Sequence, residues 1–135
     1  MKYLVDTSAL VRLIRKQTDP GWANQVERGF LAVCEPALAE TLQVADGKKY
    51  YELQSFIVDR YLPVVIPDGI WDQVAAIRME MARHSAHHGP SVADLVIAAT
   101  AIRLQLTVLH QDRDFETMAR FVPELRQYPI SAGPV

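Results

Sequence analysis

Apolar and polar positions along this chain fall into two patterns, short unbroken apolar runs and longer stretches with a three-to-four-residue repeat. The first run, ending in Tyr3-Leu4-Val5, breaks into Asp6-Thr7-Ser8. From Ser8 to about Lys16, Leu10, Leu13 and Ile14 then share one helical face, with Arg12, Arg15 and Lys16 on another. This is strand, carboxylate, helix. Thr18-Asp19-Pro20-Gly21 reads as a turn, Trp22 to Gly29 as a helix, and Phe30 to Cys34 as a second, buried strand. Pro36 suits the first turn of a helix striped by Leu38, Leu42 and Ala45, which Asp46-Gly47 ends. Glu40 falls on the side away from that stripe. Tyr50, Leu53, Ile57 and Tyr61 stripe the next helix, through about Leu62, and this face reads as core rather than as a partner surface. Pro63 to Pro67 is a short extended stretch, peripheral because of its prolines.

The second half follows the same rules. Ile70, Val74, Ile77 and Met81 stripe a helix from Gly69 to about His84. Gly89-Pro90 breaks the chain, and Ser91-Val92-Ala93-Asp94 opens a helix apolar nearly all round as far as Leu106, which places it centrally. Leu106 to His110 is a strand, Gln111-Asp112-Arg113-Asp114 its carboxyl-end loop, and Phe115 to about Phe121 a helix. The grammar of the N-terminus is repeated. Leu125 to Ile130 reads as an edge strand and Ser131 to Pro134 as a tail. Strands alternating with helices predict an α/β fold whose central, mainly parallel sheet has about four strands.

Composition narrows this picture. A length of 135 residues, half of them hydrophobic, predicts a single domain over residues 1–135 with a sizeable core. Neither a secretory signal nor an apolar run of the roughly 20 residues that span a bilayer is visible, which predicts a cytoplasmic protein without membrane contact. The lone Cys34 excludes an intramolecular disulfide and reads as a small buried side chain. A net charge of −2 argues against a large basic surface for nucleic acid. Any polyanionic ligand then needs positive charge supplied locally.

Candidate chemistry lies in the acids. Asp6 and Asp112 end strands, Asp94 opens the central helix, and Glu40 is on a nearby helix, so all could converge on one edge of the sheet, where ligands of parallel sheets bind. The plain alternative for Asp6 is a helix N-cap, for Asp94 a capping box with Ser91, and for Glu40 an ordinary surface glutamate. If Asp6 is a site residue, Thr7 and Ser8 take over the capping. Clustered carboxylates repel unless a cation neutralises them, and Mg²⁺ and Mn²⁺ favour all-oxygen sites. Such an ion also serves phosphodiester hydrolysis. His84 and His88 stand at the i, i+4 spacing of a zinc pair, but with no third ligand they read as solvent-facing histidines near a helix end.

In this order the motifs resemble those of the PIN-domain nucleases, and within them the small VapC-like toxin ribonucleases of bacterial toxin–antitoxin pairs. The resemblance rests on Val5-Asp6-Thr7-Ser8-Ala9, on Glu40, on the segment from Ser91 to Ala101, and on the segment from Leu109 to Phe115. It runs from Met1 to about Phe121. It implies a three-layer αβα sandwich in which Asp6, Glu40, Asp94 and Asp112 are catalytic and, with Asp114, hold Mg²⁺, or Mn²⁺ as a substitute. It also implies that Thr7 or Ser8 supplies a hydroxyl near the substrate. His88 stands where many relatives carry a phosphate-contacting arginine, and Arg12 is a further candidate RNA contact. RNA as substrate, a small antitoxin partner and a homodimer follow from the same resemblance. The readings set beside it are an RNA-processing nuclease without an antitoxin, an aspartyl-phosphate enzyme or receiver, and a non-catalytic interaction domain. The phosphatase needs an acid where Ser8 stands, and the receiver needs an acid pair after the first strand.

Overall fold

Five short strands make one parallel sheet: β1 (Tyr3–Val5), β2 (Leu31–Cys34), β3 (Leu62–Val64), β4 (Thr107–His110) and β5 (Arg126–Pro129), in the order β3-β2-β1-β4-β5. The computed structural model describes residues 1–135. Between the strands run α1 (Thr7–Ile14), α2 (Gly21–Glu27), α3 (Glu35–Gln43), α4 (Tyr50–Arg60), α5 (Ile70–Arg83), α6 (Val92–Leu104) and α7 (Arg113–Phe121). Helices flank the sheet, α6 packing on α5 and α1 on α3. The α/β class is as the pattern predicts, but the sheet has five strands where about four were expected. The addition is the proline-bounded stretch: Pro63 sits opposite Val33 on the outer edge, where its missing N–H costs no ladder bond.

The order of the strands follows from their apolar content. β1, β2 and β4 are buried along nearly their whole length and occupy the middle, while β3 and β5 carry exposed or half-buried residues and form the edges. Residues Leu95 to Ala101 of α6 are all buried, as expected of a helix apolar on every side. The face of α4 is mixed: Ile57 and Tyr61 are buried, whereas Tyr50 is exposed. Trp22 closes the far end, its indole N–H donating to the Ile130 carbonyl (3.1 Å) and its ring packed edge-on against Tyr3 and Tyr128.

The feature that places the site is the route of the chain. From β1 it moves outward to β2 and β3, then returns to the other side of β1 for β4 and moves outward again to β5. Connections leaving the carboxyl ends of β1 and β4 therefore diverge, and a crevice opens between them.

Candidate metal centre

Asp6 directly follows β1, and its N–H donates to the Leu109 carbonyl of β4 (3.0 Å), so the two strand ends are tied at the crevice. Asp112 lies two residues beyond His110, the end of β4, and Asp94 lies in the first turn of α6. Asp6, Asp94 and Asp112 each present a carboxylate oxygen, and these oxygens lie within 4.8 Å of one another. Asp6 is 2% exposed and the other two are partly buried.

Each acid also takes part in capping a helix. Asp6 accepts the Ala9 N–H (2.9 Å) at the start of α1, and Asp112 accepts the Asp114 N–H (2.9 Å) at the start of α7. Asp94 accepts the Ser91 N–H (3.0 Å) while the Ser91 hydroxyl accepts the Asp94 N–H (3.1 Å), a complete capping box. Capping and clustering are thus properties of the same side chains. One carboxylate oxygen takes the helix N–H and the other has no backbone donor. Three helix N-termini, each carrying partial positive charge, also help three acids to share one crevice. The expectation that Thr7 and Ser8 cap α1 does not hold, because Asp6 keeps that role. The Ser8 hydroxyl, 2.8 Å from both Asp6 oxygens, donates to that carboxylate and accepts the Gln111 N–H (2.9 Å), bridging the β1 and β4 loops.

Helix ends do not fully offset the crowding. Burial pushes the Asp6 carboxyl up to about 6 against the opposing pull of the Ala9 N–H and the Ser8 hydroxyl, and the Asp94 and Asp112 charges push the same way as burial. Asp94 is also raised, by burial and then by Asp112 and Asp114. A set of hard oxygen donors with uncompensated charge fits Mg²⁺ or Mn²⁺.

Glu40 and Asp114 lie outside the three-acid group. Glu40 accepts a hydrogen bond from the Thr7 hydroxyl (2.6 Å), which fixes α3 to the start of α1. Asp114 is in the first turn of α7, because that helix begins at Arg113 and not at Phe115. Its carboxylate approaches Gly89 so closely that a Cβ there would stand 2.6 Å from Oδ1, which explains the glycine beside His88. His88 is exposed and leans on His87 (3.9 Å between ring centres). His84 lies flat on Phe121 (4.0 Å) and faces Glu80, so the histidines gather no metal ligand set.

A wholly polar hollow of about 610 Å³ adjoins Asp112, lined by Ser8, Arg12, Gln111, Arg113 and Glu116. Arg12 is braced there by a hydrogen bond to the Ser8 carbonyl (3.0 Å). Arg113 is the cation that sequence reasoning missed. It follows an acid at the start of a helix, where a basic residue ordinarily has no meaning, and only the approach of α1 to β4 brings it alongside Arg12.

Comparison with known proteins supplies independent findings. The family model described as "PIN domain" matches residues 3–121. The chain is similar to ribonuclease VapC2 of Mycobacterium tuberculosis, 34% identical over 125 residues, which are 87% of this chain and 85% of the relative. It is 30% identical to ribonuclease VapC17 of the same organism over 132 residues, 97% of each chain. Among solved structures, a DNA-bound VapBC from Salmonella typhimurium matches with a TM-score of 0.78 over 96% of this chain and 98% of that one, at 18% identity.

Proposed function

Because the chain belongs to the PIN-domain family, and within it to the VapC ribonucleases, we propose that it is a divalent-metal-dependent endoribonuclease, the toxin of a toxin–antitoxin pair. The observation that carries this reading is the meeting of Asp6, Asp94 and Asp112 within 4.8 Å at a sheet switch point. Asp6, Asp94 and Asp112 hold the ion, with Asp114 and Glu40 beside them. When bound, Mg²⁺ or Mn²⁺ supplies charge neutralisation and Lewis-acid assistance to in-line displacement at a phosphodiester.

The remaining work falls to the chain's own side chains. Asp6, with its carboxyl raised to about 6, would release its residual proton to solvent on binding the cation. Ser8 orients the Asp6 carboxylate through its hydroxyl, and Thr7 orients Glu40. Arg12 and Arg113 flank Asp112 and suit the phosphates next to the scissile one, which gives a chain of net charge −2 its local positive charge. His88, exposed and next in sequence to the Gly89 that Asp114 approaches, is a further candidate phosphate contact.

The antitoxin partner covers the acid cluster, and the protein works in the cytoplasm as a homodimer. No helix is long and apolar enough to cross a membrane. Exposed Val58, Leu62 and Val65 beside the β3 edge leave apolar surface of the kind that partner chains cover.

Purified protein incubated with RNA tests this reading. Internal cleavage is expected with Mg²⁺ or Mn²⁺, is expected to stop with EDTA, and is expected to return when either ion is added in excess. Cleavage that persists in EDTA, or none with either ion, contradicts it.

A further inference from the structure

His110 is the last residue of β4 and is 1% exposed, yet both of its ring nitrogens are engaged. Nδ1 receives the backbone N–H of Asp112 at 3.0 Å, and Nε2 stands 2.6 Å from Oε1 of Gln127 on β5. A backbone N–H can only donate, so Nδ1 must be the bare acceptor, and the neutral imidazole carries its hydrogen on Nε2. The Gln127 oxygen is the acceptor that this arrangement requires. Phe115 packs against the ring (5.3 Å between centres). Asp112 thus has its N–H fixed by His110, while its carboxylate accepts the N–H of Asp114. The preceding residue, Gln111, is fixed through its own N–H by Ser8.

We propose that His110, held in a single tautomer by Gln127, is a positioning residue that aims the Asp112 carboxylate into the three-acid centre. The inference rests on the metal-site reading above and names a part of that site outside the ligands. Its logic is that of outer-shell groups around metals, which set the direction of a ligand and tune affinity without touching the ion. His110 itself touches neither ion nor substrate.

Two measurements on the full-length protein test it. Long-range ¹H–¹⁵N correlation spectra of the side chain are expected to show the hydrogen on Nε2 and a bare Nδ1; a hydrogen on Nδ1 overturns the proposal. Mn²⁺ titration, without any substrate, is expected to show affinity about 10- to 100-fold lower in His110→Phe, which keeps the ring and loses both nitrogens. His110→Asn restores an acceptor near the place of Nδ1 and is expected to recover much of that loss. Wild-type affinity in folded His110→Phe overturns the proposal. Should His110→Phe not fold, Gln127→Leu carries the same test: weaker Mn²⁺ binding is expected, and unchanged binding overturns it. Asp112→Asn separates the two layers, since unchanged Mn²⁺ affinity there overturns the metal-site reading itself, and with it this one.

Discussion

Asp6→Asn is expected to remove RNA cleavage and, in the absence of metal, to make the protein more stable at pH 7. Activity falls because an amide is a poor ligand for a hard cation and lacks the charge that draws it in. A loss of at least about 100-fold is expected, beyond what disturbing an outer-shell group produces. Stability rises for the opposite reason. Asp6 is 2% exposed, and in the metal-free protein its ionised form lies beside two further acids. The difference between about 6 when folded and the ordinary value of 3.8 corresponds to about 3 kcal/mol against the folded state at neutral pH. An asparagine has the same shape, still accepts the Ala9 N–H and is as good a cap. Denaturant unfolding of the two proteins in EDTA measures the gain, expected to reach about 2–3 kcal/mol in favour of the variant. A variant less stable than wild type would mean that the charge at Asp6 is already compensated.

The same imbalance sets a pH dependence in the metal-free protein that a divalent ion is expected to erase. A carboxyl whose folded value is raised binds more protons folded than unfolded between 3.8 and about 6. In that window stability falls as pH rises. The contribution of Asp6 is fully favourable below 3.8, is lost on the way to about 6 and is flat above it. Asp94 and Asp114 are raised as well and add in the same direction. Ion binding favours the ionised trio, so at about 100 times its dissociation constant Mn²⁺ is expected to add about 2.7 kcal/mol at pH 7. The effect is expected to fade toward pH 4 as the ligands protonate. Thermal unfolding across pH, with and without Mn²⁺, reads both slopes. A metal-free midpoint that climbs from pH 4 to 6 would show that these acids do not carry the shifts assigned to them.

Much of this was legible along the chain because the chemistry is attached to local grammar. A short apolar run that ends in Asp and passes at once into a helix occurs at Asp6 and again at Asp112, and Ser91 marks the start of α6 by its capping box. What spacing cannot convey is the sheet order. The pairing of β1 with β4 puts their ends side by side, and only then does a cap also become a member of a cluster. β3 reads from sequence only as part of a short extended stretch, for a related reason. It is three residues long, two of them exposed and one a proline, and it pairs where β2 offers an open edge. Thr7 and Ser8 look interchangeable as cap residues, yet one reaches across to α3 and the other binds Asp6 and the β4 loop. The engagement of His110 with Gln127 crosses between neighbouring strands 17 residues apart, a relation with no local signature.

Anomalous scattering from crystals grown with Mn²⁺ tests most directly whether Asp6, Asp94 and Asp112 together bind a divalent ion. The expected result is a Mn²⁺ peak bonded to carboxylate oxygens of all three residues. A peak bonded elsewhere, or none at saturating Mn²⁺, would contradict it.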